Sequence, residues 1–297
     1  MALYGGIELG GTKTVVVVGS GPGAIRDRTR IPTTGPGETL DRVAAFLAGR
    51  QPPIDAVGVA AFGPLDLDPG SPAFGSVVRT PKPGWDGTPV RARLAGALGV
   101  PVAIDTDVGA AALGEWRWGA AAGARIAVYV TVGTGIGAGI LIDGRPLHGL
   151  GHPEFGHIPV RRDPDDGFPG VCPFHGDCLE GLASGPAVAA RTGTPGERVG
   201  EDDAVWPLVA GCIGNALAGL AMTVVPARIV LGGGVMNVPG LLGMVRARMR
   251  ERLGGYLDLP RFTGDLADLV VPPALGGDSG ALGAIALAEA IDAPAVS

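Results

Sequence analysis

Gly6-Ile7-Glu8-Leu9-Gly10-Gly11-Thr12-Lys13-Thr14-Val15-Val16-Val17-Val18 is the stretch that decides the fold. An apolar run, a glycine turn and a β-branched run predict a hairpin. Bare N–H groups of glycine can approach anionic oxygens closely, so the turn is also a candidate phosphate cradle. It is not a Walker A loop, because Thr12 separates Gly11 from Lys13 and a strand follows where that loop requires a helix. The pattern returns later: Ile126 to Val132 reads as a strand, Gly133-Thr134-Gly135-Ile136-Gly137 as a turn, and Ala138 to Ile142 as a second strand. Gly133, Gly135 and Ala138 formally fit G-x-G-x-x-A, but a strand and turn follow where a dinucleotide fingerprint needs a helix. Two such hairpins predict a duplicated architecture whose glycine turns face each other across a cleft.

Outward from the hairpins, strands alternate with helices. Asp41 to Leu47 reads as part of an amphipathic helix, Ala56 to Ala61 as a strand entering Phe62-Gly63-Pro64, and Pro89 to Leu98 as a helix with proline at its start. Val102 to Ile104 reads as a short strand, Val108 to Trp118 as a small-residue helix, Arg228 to Leu231 as a strand closed by Gly232-Gly233-Gly234, and Ala281 to Ile291 as the final helix. This alternation predicts an α/β fold. The thinning around Ala120 to Ala124 marks a boundary, giving a first domain over 1–118, joined by the helix at 281–292, and a second over 119–280.

Composition narrows the function classes. The chain of 297 residues holds 53 glycines and 27 prolines, yet 46% of it is hydrophobic and only 18% charged, which is a globular rather than a disordered balance. A net charge of −6 without a basic block argues against nucleic acid. Arg246, Arg248, Arg250 and Arg252 would be spread around a solvated helix. Ala204 to Ala227 carries no charge, but Pro207 and its glycines, with a strand following at once, predict a buried helix rather than a membrane span. Met1 to Tyr4 lead into a strand with no signal-peptide pattern, which predicts a cytoplasmic protein.

Two groups of residues carry chemistry. Asp105 and Asp107 flank Thr106 where a strand enters a helix; either could be a helix N-cap or an exposed general base. Cys172, His175 and Cys178 form C-x₂-H-x₂-C within seven residues, and His157 stands ahead of it with fourteen residues between. That set predicts a closed tetrahedral zinc site of structural type. Cys212, in the uncharged helix, reads as inert core.

Over nearly its whole length the chain resembles the ROK family of sugar kinases, and within it the bacterial fructokinases. The resemblance rests on Gly-Gly-Thr-Lys at 10–13, Asp-Thr-Asp-Val at 105–108 with Ala-Ala-Leu-Gly-Glu at 111–115, and Gly-Thr-Gly-Ile-Gly at 133–137. Further on stand His-Pro-Glu-Phe-Gly-His at 152–157, Cys-Pro-Phe-His-Gly-Asp-Cys-Leu-Glu-Gly at 172–181 and Leu-Gly-Gly-Gly-Val at 231–235. It implies an actin-like, ribonuclease H-like duplicated fold with an interdomain cleft, ATP with Mg²⁺, a structural zinc, a hexose substrate and a homodimer. It implies Asp107 as the catalytic base, since Asp107 stands eight residues before Glu115. Gly10, Gly11, Thr12, Lys13, Thr134 and Gly135 would hold phosphates, with Pro186, Gly232, Gly233, Gly234, Val235 and Met236 on the nucleotide side. Gly63, Pro64, Thr106, Glu154, His157 and Glu180 would contact sugar, so that His157 serves both metal and pocket.

Two departures from the family pattern bear on substrate. Glu8 stands where many relatives carry Asp, and Thr106 with Gly109 replace the asparagines of the glucokinase-like Asn-Asp-Ala-Asn pattern. With Thr80-Pro81-Lys82-Pro83-Gly84-Trp85, these point to D-fructose, phosphorylated at C6, over glucose, mannose or an N-acetylhexosamine. A sugar-responsive repressor of the same family would need a helix-turn-helix ahead of the first strand.

Overall fold

In the computed structural model, which describes residues 2–292, β1 (Tyr4–Leu9) and β2 (Lys13–Gly19) form the expected antiparallel hairpin, with Ile7 opposite Val16. β3 (Ile25–Pro32) extends it at the edge, and after α1 (Pro36–Leu47) the chain lays β4 (Ala56–Ala61) parallel to β1. After α2 (Val90–Leu98), β5 (Val102–Thr106) pairs parallel with β4, and α3 (Asp107–Trp118) leaves its end. The sheet order is β3-β2-β1-β4-β5.

The second sheet repeats this plan. β6 (Ile126–Val132), β7 (Ile136–Ile142) and β8 (Arg145–Pro146) precede α4 (Leu179–Ala183), α5 (Gly185–Thr192) and α6 (Val205–Val224). β9 (Arg228–Gly232), α7 (Leu241–Leu253), β10 (Val270–Val271) and α8 (Ser279–Asp292) complete the chain. Its order, β10-β9-β6-β7-β8, read from the β8 end, is the first order with every strand number raised by five, so the duplication read from the hairpins is present in the topology.

Contacts divide the chain into one unit of Met1–Ala122, Gly139–His152 and Ala274–Ser297 and another of Gly123–Ala138 and Pro153–Pro273. This differs from the expected cut at 118. Glu115, fully buried near the end of α3, accepts backbone N–H groups from Ala120 (2.8 Å), Ala274 (3.1 Å) and Leu275 (3.0 Å) and the Ser279 hydroxyl (2.7 Å). One carboxylate thus binds the residues after α3 and the approach to α8 into the first unit.

Side-chain alternation explains the first core. Ile7, Leu9, Val16 and Val18 pack on one face with Leu40, Val43, Leu47 and Leu94, while Tyr4, Val15 and Val17 face Ala281, Leu282, Ile285 and Ala288 of α8 on the other. Strands covered on both sides read as unbroken valine runs. The glycine content has a packing cause: a Cβ at Gly58 would collide with the Ala284 carbonyl, so α8 lies directly on the β4 backbone. In the second unit, α6 is a core helix with Val209, Ile213, Leu217 and Ala221 buried. α7 buries Leu241, Val245, Met249 and Leu253 at four-residue spacing, while Arg252 donates to Asn215 (2.6 Å) and Arg246 to the Val270 carbonyl (2.8 Å).

Several boundaries moved. β5 runs through Thr106 and α3 starts at Asp107, one residue before the predicted start. Pro89 is the N-cap of α2 rather than its first residue. β7 begins at Ile136, inside the predicted turn, and α8 begins at Ser279 after a 3₁₀ turn at Gly276–Asp278.

Candidate functional site

The first unit presents the β1–β2 turn and the β5–α3 junction. In the turn, Gly10 N–H donates to the Lys13 carbonyl (3.1 Å), and Gly11, Thr12 and Lys13 are exposed. Lys82 Nζ donates to the Gly11 carbonyl (2.5 Å), and Trp85 Nε1 donates to the Thr34 carbonyl (2.8 Å). The Thr80–Trp85 segment, read from sequence only as a branch marker, therefore braces this turn. Gly63 and Pro64 follow β4, where the His152 ring packs against Gly63 and its Nε2 accepts the Leu65 N–H (3.1 Å).

At the junction the N-cap is Thr106, not an aspartate: its Oγ1 accepts the Gly109 N–H at 3.0 Å. Asp105 is only 3% exposed, and its Oδ1 accepts the Thr106 N–H at 2.6 Å. A Cβ at Gly109 would collide with that same oxygen, which accounts for the glycine where glucokinase-like sequences carry asparagine. Asp107, half-buried, is the first residue of α3 and accepts the Val108 N–H at 2.9 Å. Crowding by protein atoms pushes its pKa up to about 6, against the lowering effects of that N–H and of His152. Glu8, on β1, is also raised, first by burial and then by the Asp107 charge, with Lys13 opposing. A carboxylate that titrates near neutral pH at a helix start is a chemically competent proton acceptor.

The second unit holds a cleft of about 670 Å³ lined by Gly133, Thr134, Gly185, Pro186, Gly234 and Val235, with Val188, Val199, Trp206 and Val238 as apolar wall. Of the residues expected on the nucleotide side, Thr134, Pro186, Gly234 and Val235 line it, whereas Gly135, Gly232, Gly233 and Met236 do not. Gly233 has φ +97° beside the Val132 backbone, and a Cβ at Gly232 would meet Pro273 at 2.7 Å, so these two shape the β9 exit. α5 contributes a wall rather than open donors: Gly185 N–H is spent on the Gly133 carbonyl (2.7 Å), Pro186 has none, and Ala187 donates to Ser184 Oγ (3.4 Å). The walling residues after Pro186 were not legible in the sequence, because they come from separate elements with no shared spacing.

His157, Cys172, His175 and Cys178 come together in this unit, with all four ligand atoms within 4.8 Å of one another. His157 Nδ1 lies 3.7 Å from Cys172 Sγ and 3.6 Å from Cys178 Sγ, and His175 Nδ1 lies 3.7 Å from Cys172 Sγ. A tetrahedral zinc with bonds of about 2.0 Å to N and 2.3 Å to S needs N···S edges of about 3.5 Å, so the donor set fits. Glu180, at the start of α4, accepts the Ile136 N–H at 2.9 Å and holds the Gly133–Gly137 turn. Glu154 stands at the N-cap position of the 3₁₀ turn that carries His157, its carbonyl accepting the His157 N–H (3.0 Å). Cys212 is buried and its thiol is pushed up to about 11 by burial, as an inert core thiol should be.

Residues 4–291 match the ROK family. The chain belongs to the ROK family. A fructokinase of Zymomonas mobilis is 43% identical over 98% of this chain and 97% of its own length. The ROK hexokinase structure from Thermus thermophilus matches with TM-score 0.79 at 30% identity, covering 98% of this chain and all of that one. A ROK glucokinase from Streptomyces griseus, solved with glucose and AMPPNP, matches with TM-score 0.75 at 29% identity over 97% of this chain and 100% of that one. Relatives named fructokinase run from 39% to 43% identity, against 29% to 30% for those named glucokinase.

Proposed function

We propose that this ROK protein is a cytoplasmic fructokinase that transfers the γ-phosphoryl group of MgATP to the C6 hydroxyl of D-fructose. The observation that carries the reading is Asp107: a carboxylate fixed at the start of α3 with a pKa of about 6, in a chain that aligns with fructokinases end to end. Phosphoryl transfer proceeds through a loose transition state, so positioning and charge supply most of the rate. Asp107 accepts the proton of the attacking hydroxyl. The Gly10–Lys13 and Gly133–Gly135 turns hold phosphate oxygens, and the apolar walls of the 670 Å³ cleft take the adenine ring.

His157, Cys172, His175 and Cys178 would hold a zinc ion, whose chemistry is to fix the loop rather than to react. With its Nδ1 turned to the cluster, His157 keeps Nε2 for a sugar hydroxyl, beside Glu154 and Glu180. Gly63 and Pro64 complete the sugar contacts, while the expected contact from Thr106 is not available, since its hydroxyl accepts the Gly109 N–H and donates to Asp105. Glucose is disfavoured because the Thr106 hydroxyl is committed to the helix cap and the Asp105 carboxylate fills the space beside Gly109. A homodimer is expected of the enzyme in solution, to be read by light scattering.

Initial rates of ADP release with D-fructose, D-mannose, D-glucose and N-acetyl-D-mannosamine test the substrate. D-Fructose should give the highest kcat/KM. A value for glucose or mannose about ten-fold above that for fructose would overturn the assignment, since unpaired hydrogen bonds in a buried site are what separate such hexoses.

A further inference from the structure

The sequence left His148 without a role, and the proposed chemistry does not use it. His148 Nε2 lies 3.2 Å from Asp105 Oδ2 and 3.3 Å from Oδ1, so one ring nitrogen meets both oxygens of a buried carboxylate. The remaining partners of Asp105 are the Thr106 N–H and hydroxyl, and Thr106 is the cap of the helix that begins with Asp107. His148 stands on a short segment with independent anchors. Leu147 N–H donates to the Ile140 carbonyl (2.8 Å), Gly149 N–H to the Gly151 carbonyl (2.9 Å), and His152, at its end, accepts from Leu65.

We propose that His148 is a positioning residue: through Asp105 it locks the first turn of α3 and so holds the Asp107 carboxylate where phosphoryl transfer needs it. This rests on the reading of Asp107 as the base. A carboxylate buried as deeply as Asp105 is costly unless it is paired and hydrogen-bonded. The hydrogen bond from His148 supplies the pairing, and that same bond, the largest influence on the ring, favours its protonated form. Without His148 the buried carboxylate loses its histidine partner, and its hold on Thr106 at the head of α3 loosens. Gly109 makes the arrangement possible, because any side chain there would displace Asp105.

The test is a set of variants of the full chain: His148→Ala, His148→Gln, Asp105→Asn, the His148→Ala/Asp105→Asn pair, and Asp107→Asn. His148→Ala should lower kcat by about 10- to 100-fold, the scale of a misplaced catalytic group, with each KM moving less than about three-fold. His148→Gln, which restores a donor to Asp105, should recover at least a third of the lost rate. The double variant should be no worse than the poorer single one, since both changes break one route. The acid limb of kcat should move to higher pH in His148→Ala, because the Asp105 carboxylate then faces Asp107 without its histidine partner, leaving His152 to oppose it there and Lys13 and Arg28 to oppose Glu8. His148→Ala with more than half of wild-type kcat, or full additivity in the double variant, overturns the proposal. If Asp107→Asn itself keeps wild-type kcat, the base assignment fails and this proposal falls with it. If Asp107→Asn is inactive while His148→Ala is not, only the role of His148 is wrong.

Discussion

Asp107 is placed by its neighbours rather than by its own bonds. With a pKa of about 6 it would serve as the proposed base only above that pH: kcat/KM should fall as pH drops through about 6, and a limb centred near 4 would contradict the environment described. Asp107→Asn should lower kcat by roughly 10²–10⁴ while changing sugar binding far less, and by more than Asp105→Asn does. The same raised pKa has a stability consequence of definite sign. The folded state binds this proton more tightly than the unfolded chain, so the ionised group costs stability above about pH 6 and the cost is relieved as pH falls. Asp107→Asn should therefore raise Tm at pH 7.5 and leave it nearly unchanged at pH 4; a lower Tm at pH 7.5 would show that the carboxylate is stabilising instead. Gly109→Ala should destabilise by about 1–3 kcal/mol in urea titrations and depress kcat, since its Cβ forces Asp105 aside.

At the level of elements, the His/Cys loop and the α3–α8 anchor each depend on a few polar groups. Removing one thiolate from a closed site of four ligands should release the ion, so wild-type protein should contain about one zinc per chain and Cys178→Ser almost none, with sugar KM raised. Fewer than one zinc in about two chains of fully active wild-type protein, by plasma emission, would count against the site. Glu115→Ala strands three N–H groups and should cost at least about 2 kcal/mol in denaturant unfolding. What the sequence disclosed follows from how local each signal is. The His/Cys cluster is legible because three of its members lie within seven residues, and the hairpins because glycine turns separate apolar runs. β3 was not read as a strand, since Ile25–Pro32 alternates with arginines, buries only Ile31 and is held by pairing to β2. The Thr106 cap escaped notice because two aspartates flanked it with equal local claims. The cleft wall is beyond sequence reading: Val188, Trp206 and Val238 meet only in the folded unit.

Across the whole molecule, the repeated strand order accounts for why one chain carries two glycine turns, and the close seating of α8 on β4 for why glycine is abundant without disorder. The first unit carries Asp107 and an exposed glycine turn, the second an apolar cleft and the His/Cys loop. Under the proposed function the activity needs residues of both. The most direct test of the account is ³¹P NMR of the purified protein with MgATP and D-fructose. The account predicts ADP and a C6 phosphate monoester of fructose appearing in equal amounts, with neither formed by Asp107→Asn on the same timescale. Unchanged ATP, or ADP with orthophosphate and no sugar ester, would contradict it.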